Sequence, residues 1–193
     1  MTYTDPTARR RLPLFTVLVV ISAAIAALVV ALSLTPQPAT SRTTGDGGRV
    51  GDAATVFDDE LLAVAHLDAD LRDALRLATT DAGDDGVDIQ INSGWRSPDY
   101  QDQLLHDAIS KYGSKAEAAR WVAASDTSPH VSGDAVDIGP TDAMSWMAQH
   151  GAAYGLCQVY GNEPWHYELR SGAADHGCPP MYADPTQDPR MHG

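Results

Sequence analysis

An α+β domain, a small antiparallel sheet with helices packed on it, is the fold class the sequence predicts for most of this chain. Two observations lead there. Segments with helical spacing and segments with strand alternation are interspersed between residues 57 and 183. The last two strand-like segments, "LCQVY" (156–160) and "PWHYEL" (164–169), are joined by the short turn "GNEP", which suits an antiparallel pair. A third observation sets the rest of the chain apart: Arg9, Arg10 and Arg11 precede an uncharged stretch, residues 12–34.

That stretch is long enough to cross a bilayer as one helix, which takes about 20 residues. It exceeds the roughly 7–15 apolar residues of a cleaved signal peptide's core. We read residues 1–11 as cytoplasmic and 12–34 as an uncleaved transmembrane signal anchor, oriented by the arginine cluster. A cleaved leader, and hence a secreted protein, is the alternative. Residues 35–56 are rich in Pro, Gly, Ser and Thr and read as a flexible linker. The folded domain is expected over 57–183, outside the membrane, and 184–193 as a flexible tail.

Within the domain, "FDDELLAVAHLDADLRDALRLATTDAG" places Leu61, Val64, Leu67, Leu71, Leu75 and Ala78 at helical spacing. It is expected to form one helix stopped near Gly83. "VDIQINSGW" alternates Val87, Ile89 and Ile91 against polar residues, the pattern of a half-buried strand. Ser97-Pro98 starts a helix through Ile109, "KAEAARWVAAS" gives another, and "DAVDIG" is a short strand. "TDAMSWMAQHGAAYG" is a helix, and the two closing strands complete the sheet.

Beyond residue 35, ten Lys or Arg face twenty-five Asp or Glu, a formal charge of −15. So acidic a domain argues against nucleic acid or anionic lipid as a partner. The two cysteines, Cys157 and Cys178, belong to no CxxC pair, which argues against a cysteine zinc site. An exported location permits a disulfide between them, with two free buried thiols as the alternative.

The chemistry-bearing residues lie in "SPHVSGDAVDIG" and "NEPWHYEL". His130 falls in a Pro/Gly-marked loop, Asp137 on the strand that follows, and Gly133 allows a tight turn between them. His166 on the last strand is a third candidate ligand. Two imidazoles, one carboxylate and an open position suit a catalytic zinc. Glu163 could then carry a proton from an attacking water to a leaving amine. Pro164 biases Glu163 towards an extended or turn conformation, from which it can curl back while His166 points in from the strand. Each signal alone is weak, because a histidine on an apolar strand is ordinarily a packed core residue.

Together, "SGWRSPDYQ", "SPHVSGDAVDIG" and "EPWHYEL" resemble the D-alanyl-D-alanine carboxypeptidase (VanY-type) family of zinc peptidases. Its superfamily also holds lysostaphin-type endopeptidases and the hedgehog signalling domain. The resemblance spans about residues 57–180, and the pairing of "GLCQVYGNEPWHYEL" with a later "GCPPM" is similar to exported actinobacterial members. It implies zinc as cofactor, His130, Asp137 and His166 as ligands, and Glu163 as catalytic base. It further implies that Arg96 steadies the substrate carbonyl, and that Gln101 and Ser128 line the pocket and bond the peptide. Trp95 departs from the usual tyrosine or phenylalanine. The implied substrate is a peptidoglycan stem peptide, cut as a D,D- or L,D-carboxypeptidase or as an endopeptidase. A non-catalytic zinc-stabilised binding module is the alternative class, and a monomer is the expectation. Glu168 is read as a carboxylate that orients a ligand imidazole or else faces solvent. Trp165 and Tyr167 are expected in the core, and His66, His106, His150 and His176 on the surface.

Overall fold

The computed structural model describes residues 47–192. The arginine cluster, the apolar stretch 12–34 and the linker up to residue 46 lie outside the described residues. Among the described residues no helix is long and apolar enough to cross a membrane.

The domain is α+β with a four-stranded antiparallel sheet. The elements, in chain order, are α1 (Leu62–Ala65), α2 (Ala69–Asp84), β1 (Gln90–Ser93), α3 (Pro98–Tyr112), α4 (Lys115–Ala118) and α5 (Pro129–Ser132). Then come β2 (Ala135–Gly139), α6 (Thr141–His150) with a 3-10 turn at Gly151–Tyr154, β3 (Leu156–Gln158), β4 (His166–Leu169) and α7 (Ala173–His176). The strands run in the order β1-β2-β4-β3, every neighbour antiparallel.

The helix expected over 57–83 is broken in two. The Asp68 carboxylate accepts the backbone N–H groups of Asp70 and Leu71, which starts α2 afresh. Local capping here overrides the periodicity that runs through it. From that start α2 buries Leu71, Leu75, Ala78 and Ala82 along one stripe. The helix expected over 115–125 is also shorter, ending at Ala118. Further on, the Gln101 side-chain amide donates to the Ala123 carbonyl at 2.8 Å, fixing an irregular path in place of a continued helix.

Side-chain alternation divides the sheet into two faces. Ile91, Val136, Ile138 and Tyr167 face a core shared with the α2 stripe and with Ala143, Trp146 and Met147 of α6. The opposite face carries Asp137, His166 and Glu168, all buried. The register fixes this division: Ala135 lies opposite Glu168, Val136 opposite Tyr167, and Asp137 opposite His166. A disulfide joins Cys157 of β3 to Cys178, as expected.

Both ends of the domain extend past the expected boundaries. Residues 47–56, read as linker, are packed: the Ser97 N–H donates to the Gly47 carbonyl, the Ile91 N–H to the Ala54 carbonyl, and Val56 is fully buried. The segment from Asp184, read as a flexible tail, is packed too. Asp184 and Asp188 are buried and each starts a 3-10 turn, Pro185–Gln187 and Pro189–Met191, by accepting the N–H of Thr186 and Arg190. Low hydropathy hid these segments: 47–56 buries only the apolar side chains of Ala54 and Val56 and is otherwise held by hydrogen bonds, and the segment from Asp184 is held by hydrogen bonds and ion pairs.

Replacing Asp68→Ala removes the α2 cap. The substitution is expected to lower the unfolding free energy by about 1 kcal/mol, read as a lower urea midpoint at unchanged slope.

Candidate active site

The buried face of β2 and β4 converges on three side chains. His130 Nε2, Asp137 Oδ1 and His166 Nδ1 lie 3.3, 3.2 and 3.2 Å from one another, a nearly equilateral triangle. Among the described residues this is the cluster whose donor atoms could hold a metal ion. A tetrahedral ion with bonds of about 2.0–2.1 Å holds its ligands roughly 3.3 Å apart. The triangle therefore has the dimensions of one face of a zinc coordination shell. The donor set, two imidazole nitrogens and one carboxylate oxygen, also suits a catalytic zinc.

Each donor is aimed by a second contact. His130 sits on α5, turned into the site by the left-handed Gly133, where an added Cβ would lie 2.4 Å from the His66 carbonyl. Its Nδ1 donates to the Gly94 carbonyl at 2.8 Å, which leaves Nε2 with its lone pair facing the triangle. That carbonyl can approach because residue 94 is glycine: an added Cβ would lie 2.2 Å from the Ala63 carbonyl. The Asp137 Oδ2 atom accepts from Arg96 Nη2 at 2.7 Å, so Oδ1 is the oxygen presented to the metal position. On the far side of His166, Nε2 donates to Glu168 Oε1 at 3.3 Å, which leaves Nδ1 as the nitrogen facing the triangle.

Burial of Asp137 opposes ionisation, but the neighbouring imidazoles and the Arg96 guanidinium outweigh it and hold the carboxyl well below its ordinary range. Burial pushes His130 down, towards the neutral form that ligation needs. Burial likewise opposes ionisation of Glu168, yet hydrogen bonds from His166 and Arg190 hold it at about 2.

Glu163 and His166 are brought together by a turn. The His166 N–H donates to the Glu163 carbonyl, with Pro164 next in the chain, and Glu163 Oε2 comes to 3.8 Å from His166 Nδ1. The other carboxylate oxygen, Oε1, is buried without a hydrogen-bond partner among the described residues. Burial raises this carboxyl to about 7, the poise of a proton shuttle at neutral pH. The same turn corrects the reading of Trp165. Strand alternation begins only at His166, so Trp165 is half-buried and lines the cavity, whereas Tyr167 is core as expected.

The remaining candidates surround a cavity of about 210 Å³ whose walls include Trp121, Ser128, Glu163, Trp165 and Pro185. A second groove, about 540 Å³, meets it at Arg96, Leu104, Asp137 and Trp165. Ser128 Oγ is buried without a partner among the described residues, beside His130. Gln101 also borders the cavity, but both ends of its amide are engaged: Oε1 accepts from Arg96 Nη1 and Nε2 donates to Ala123. Its contacts brace Arg96. Arg96 itself bonds Asp137, Gln101 and Ser93, while still bordering the cavity. His66, His106, His150 and His176 are exposed.

Sequence reasoning missed Arg190, which bonds both Glu168 oxygens. A usable signal lay in "DPTQDPR", where two Asp-Pro steps mark successive capped turns. Glu168 proves to be the buried partner of His166, not a solvent-facing residue.

A family model described as D-alanyl-D-alanine carboxypeptidase matches residues 64–171. A curated D-alanyl-D-alanine carboxypeptidase from Enterococcus faecalis (strain ATCC 700802 / V583) is 30% identical over 108 residues, covering 43% of this chain and 40% of that protein. The match thus spans well under half of that relative's length. Among solved structures, the vancomycin-resistance D,D-pentapeptidase VanY from the VanB-type cassette, in complex with Zn(II), shares the fold. It is 24% identical with a TM-score of 0.55, over 60% of this chain and 80% of that one. VanYB in complex with D-alanine-D-alanine is 27% identical with a TM-score of 0.52, over 56% and 74%.

The raised Glu163 carboxyl has a consequence for the metal-free fold. A folded-state value of about 7 against an ordinary 4.5 means that the neutral group is favoured on folding. Its contribution is present below 4.5 and lost as pH rises through 7. Glu163→Gln should therefore raise the Tm of the chelator-treated protein by a few degrees at pH 8 and hardly at all at pH 5. Thermal melts at the two pH values check this.

Proposed function

The chain belongs to the D-alanyl-D-alanine carboxypeptidase family, and from that premise we propose that it is a zinc-dependent carboxypeptidase. Its substrate would be a peptidoglycan stem peptide, from which it removes the terminal D-amino acid. The observation that carries this reading is the triangle of His130, Asp137 and His166 donors with the unpaired Glu163 oxygen beside it. A binding module would gain nothing from a buried carboxylate oxygen without a partner.

A zinc ion held by the three donors would polarise the scissile carbonyl and acidify a bound water. The chain's own residues do the rest. Glu163 accepts the proton of the attacking water on its carboxylate and delivers it to the departing amine nitrogen. Its carboxylate lies beside the metal triangle, 3.8 Å from His166 Nδ1, within one water of the reacting atoms. Arg96 holds Asp137 in its ligating orientation and keeps a fixed positive charge beside the cavity, where negative charge forms on the substrate oxygen. Ser128 Oγ, free to donate, meets the peptide end in the smaller cavity. The larger groove takes the preceding stem residues. The apolar stretch 12–34 behind three arginines supports a membrane tether, with the domain on the extracytoplasmic side.

The test is incubation of the full-length chain with a stem pentapeptide ending in D-Ala-D-Ala and with the corresponding tetrapeptide, with zinc or with chelator. Products are read by mass spectrometry. Zinc-dependent loss of one alanine is expected, and the peptide that loses it names the bond. Glu163→Gln should keep its zinc and lose at least about 100-fold in kcat. Bound zinc with both peptides intact would contradict the carboxypeptidase reading.

A further inference from the structure

We infer that segment 184–190 is a working part of the active site, and that Arg190 is a positioning residue for His166, acting through Glu168. The inference rests on the proposed function in one respect, that His166 holds a metal. Arg190 lies beyond the stretch matched by the family model.

A closed ring of contacts grips the His166 imidazole. Glu168 is buried at 2% exposure in the middle of the sheet, paired with Ala135 on one side and Cys157 on the other. Its Oε1 accepts from His166 Nε2 at 3.3 Å and from Arg190 Nη2 at 3.1 Å, and its Oε2 accepts from Arg190 Nη1 at 2.7 Å. Arg170 adds a contact to Oε2 at 3.0 Å. The Arg190 Nε atom donates to both oxygens of Asp188, and the fully buried Asp188 accepts from the Tyr160 hydroxyl at 3.0 Å. The Tyr160 ring then packs on the imidazole of His166, centroids 5.1 Å apart. Edge and face of the ligand are thus both set by one chain of contacts that passes through Arg190.

The shape of the guanidinium matters here. Its two terminal nitrogens engage both Glu168 oxygens in the fork geometry that a carboxylate accepts. This locks the plane of the carboxylate and with it the direction of Oε1 towards His166. An ammonium group, a single point of charge, cannot hold both oxygens and Asp188 together. Segment 184–190 also reaches the substrate side, since Pro185 lines the cavity and Asp184 is held by Arg120 Nε at 2.9 Å.

The experiment compares the full-length chain, in detergent micelles, as wild type, Arg190→Ala and Arg190→Lys. Zinc affinity is measured by competition with a chromophoric chelator, and kcat and KM on the peptide that the wild type cleaves. Arg190→Ala is expected to bind zinc about ten-fold more weakly and to lose kcat with KM nearly unchanged, with Arg190→Lys intermediate. A segment that merely fastens the fold would lower Tm and leave the zinc affinity of the folded protein alone. Folded variants with wild-type zinc affinity and kcat therefore overturn the inference. If Arg190→Ala does not fold, Arg190→Lys decides by the same measure. A wild type that binds no zinc would instead overturn the metal reading of the site, and the inference with it.

Discussion

Asp137 and His166 stand directly opposite each other on adjacent antiparallel strands, and the rest of the site depends on that pairing. Opposed residues in such a pair are held about 5 Å apart at their Cβ atoms by the backbone ladder, with no help from the side chains. Two of three candidate metal ligands are therefore fixed by the sheet before any metal arrives. The same register sends Val136, Ile138 and Tyr167 into the core. A slip of one residue would turn that core towards the polar face and drive the acids into the apolar core, so the hydrophobic pattern that folds the sheet also enforces the geometry of the triangle.

Concentrating charge on a buried face is costly, and each group is stabilised by a specific neighbour. Arg96 meets Asp137, and Arg170 and Arg190 meet Glu168. The exception is informative. Glu163 is as buried as the others, yet one of its oxygens has no partner among the described residues, and burial lifts its pKa to about 7. The fold thus pairs Asp137 and Glu168 with arginines and leaves one oxygen of Glu163 without a partner among the described residues.

Much of this was legible in the sequence because it depended on local rules. Alternation located β1, the strand expected over "DAVDIG" is β2, and the turn expected at Glu163-Pro164 brings the carboxylate back beside His166. The helix break at Asp68 was missed because a capping aspartate can sit within an unbroken apolar period. Trp165 was misplaced because alternation was extended one residue into a turn. The packed segments 47–56 and 184–192 were missed for a different reason: polar contacts between distant residues, such as Arg190 with Glu168 and Arg120 with Asp184, leave no periodic trace. The Gln101 amide looked like a peptide-binding group, and only the three-dimensional arrangement reveals that Arg96 and Ala123 engage it.

The claim beneath the whole account is that His130 of α5 and Asp137 and His166 of the sheet together hold a single metal by two imidazoles and a carboxylate. X-ray absorption at the zinc edge, on the full-length chain loaded with one equivalent of zinc, tests it most directly. The account predicts four light ligands at about 2.0–2.1 Å with the multiple-scattering pattern of two imidazoles. It also predicts that His166→Ala reduces that pattern to one imidazole. A shell containing sulfur, a six-oxygen shell, or a spectrum unchanged by His166→Ala would contradict it.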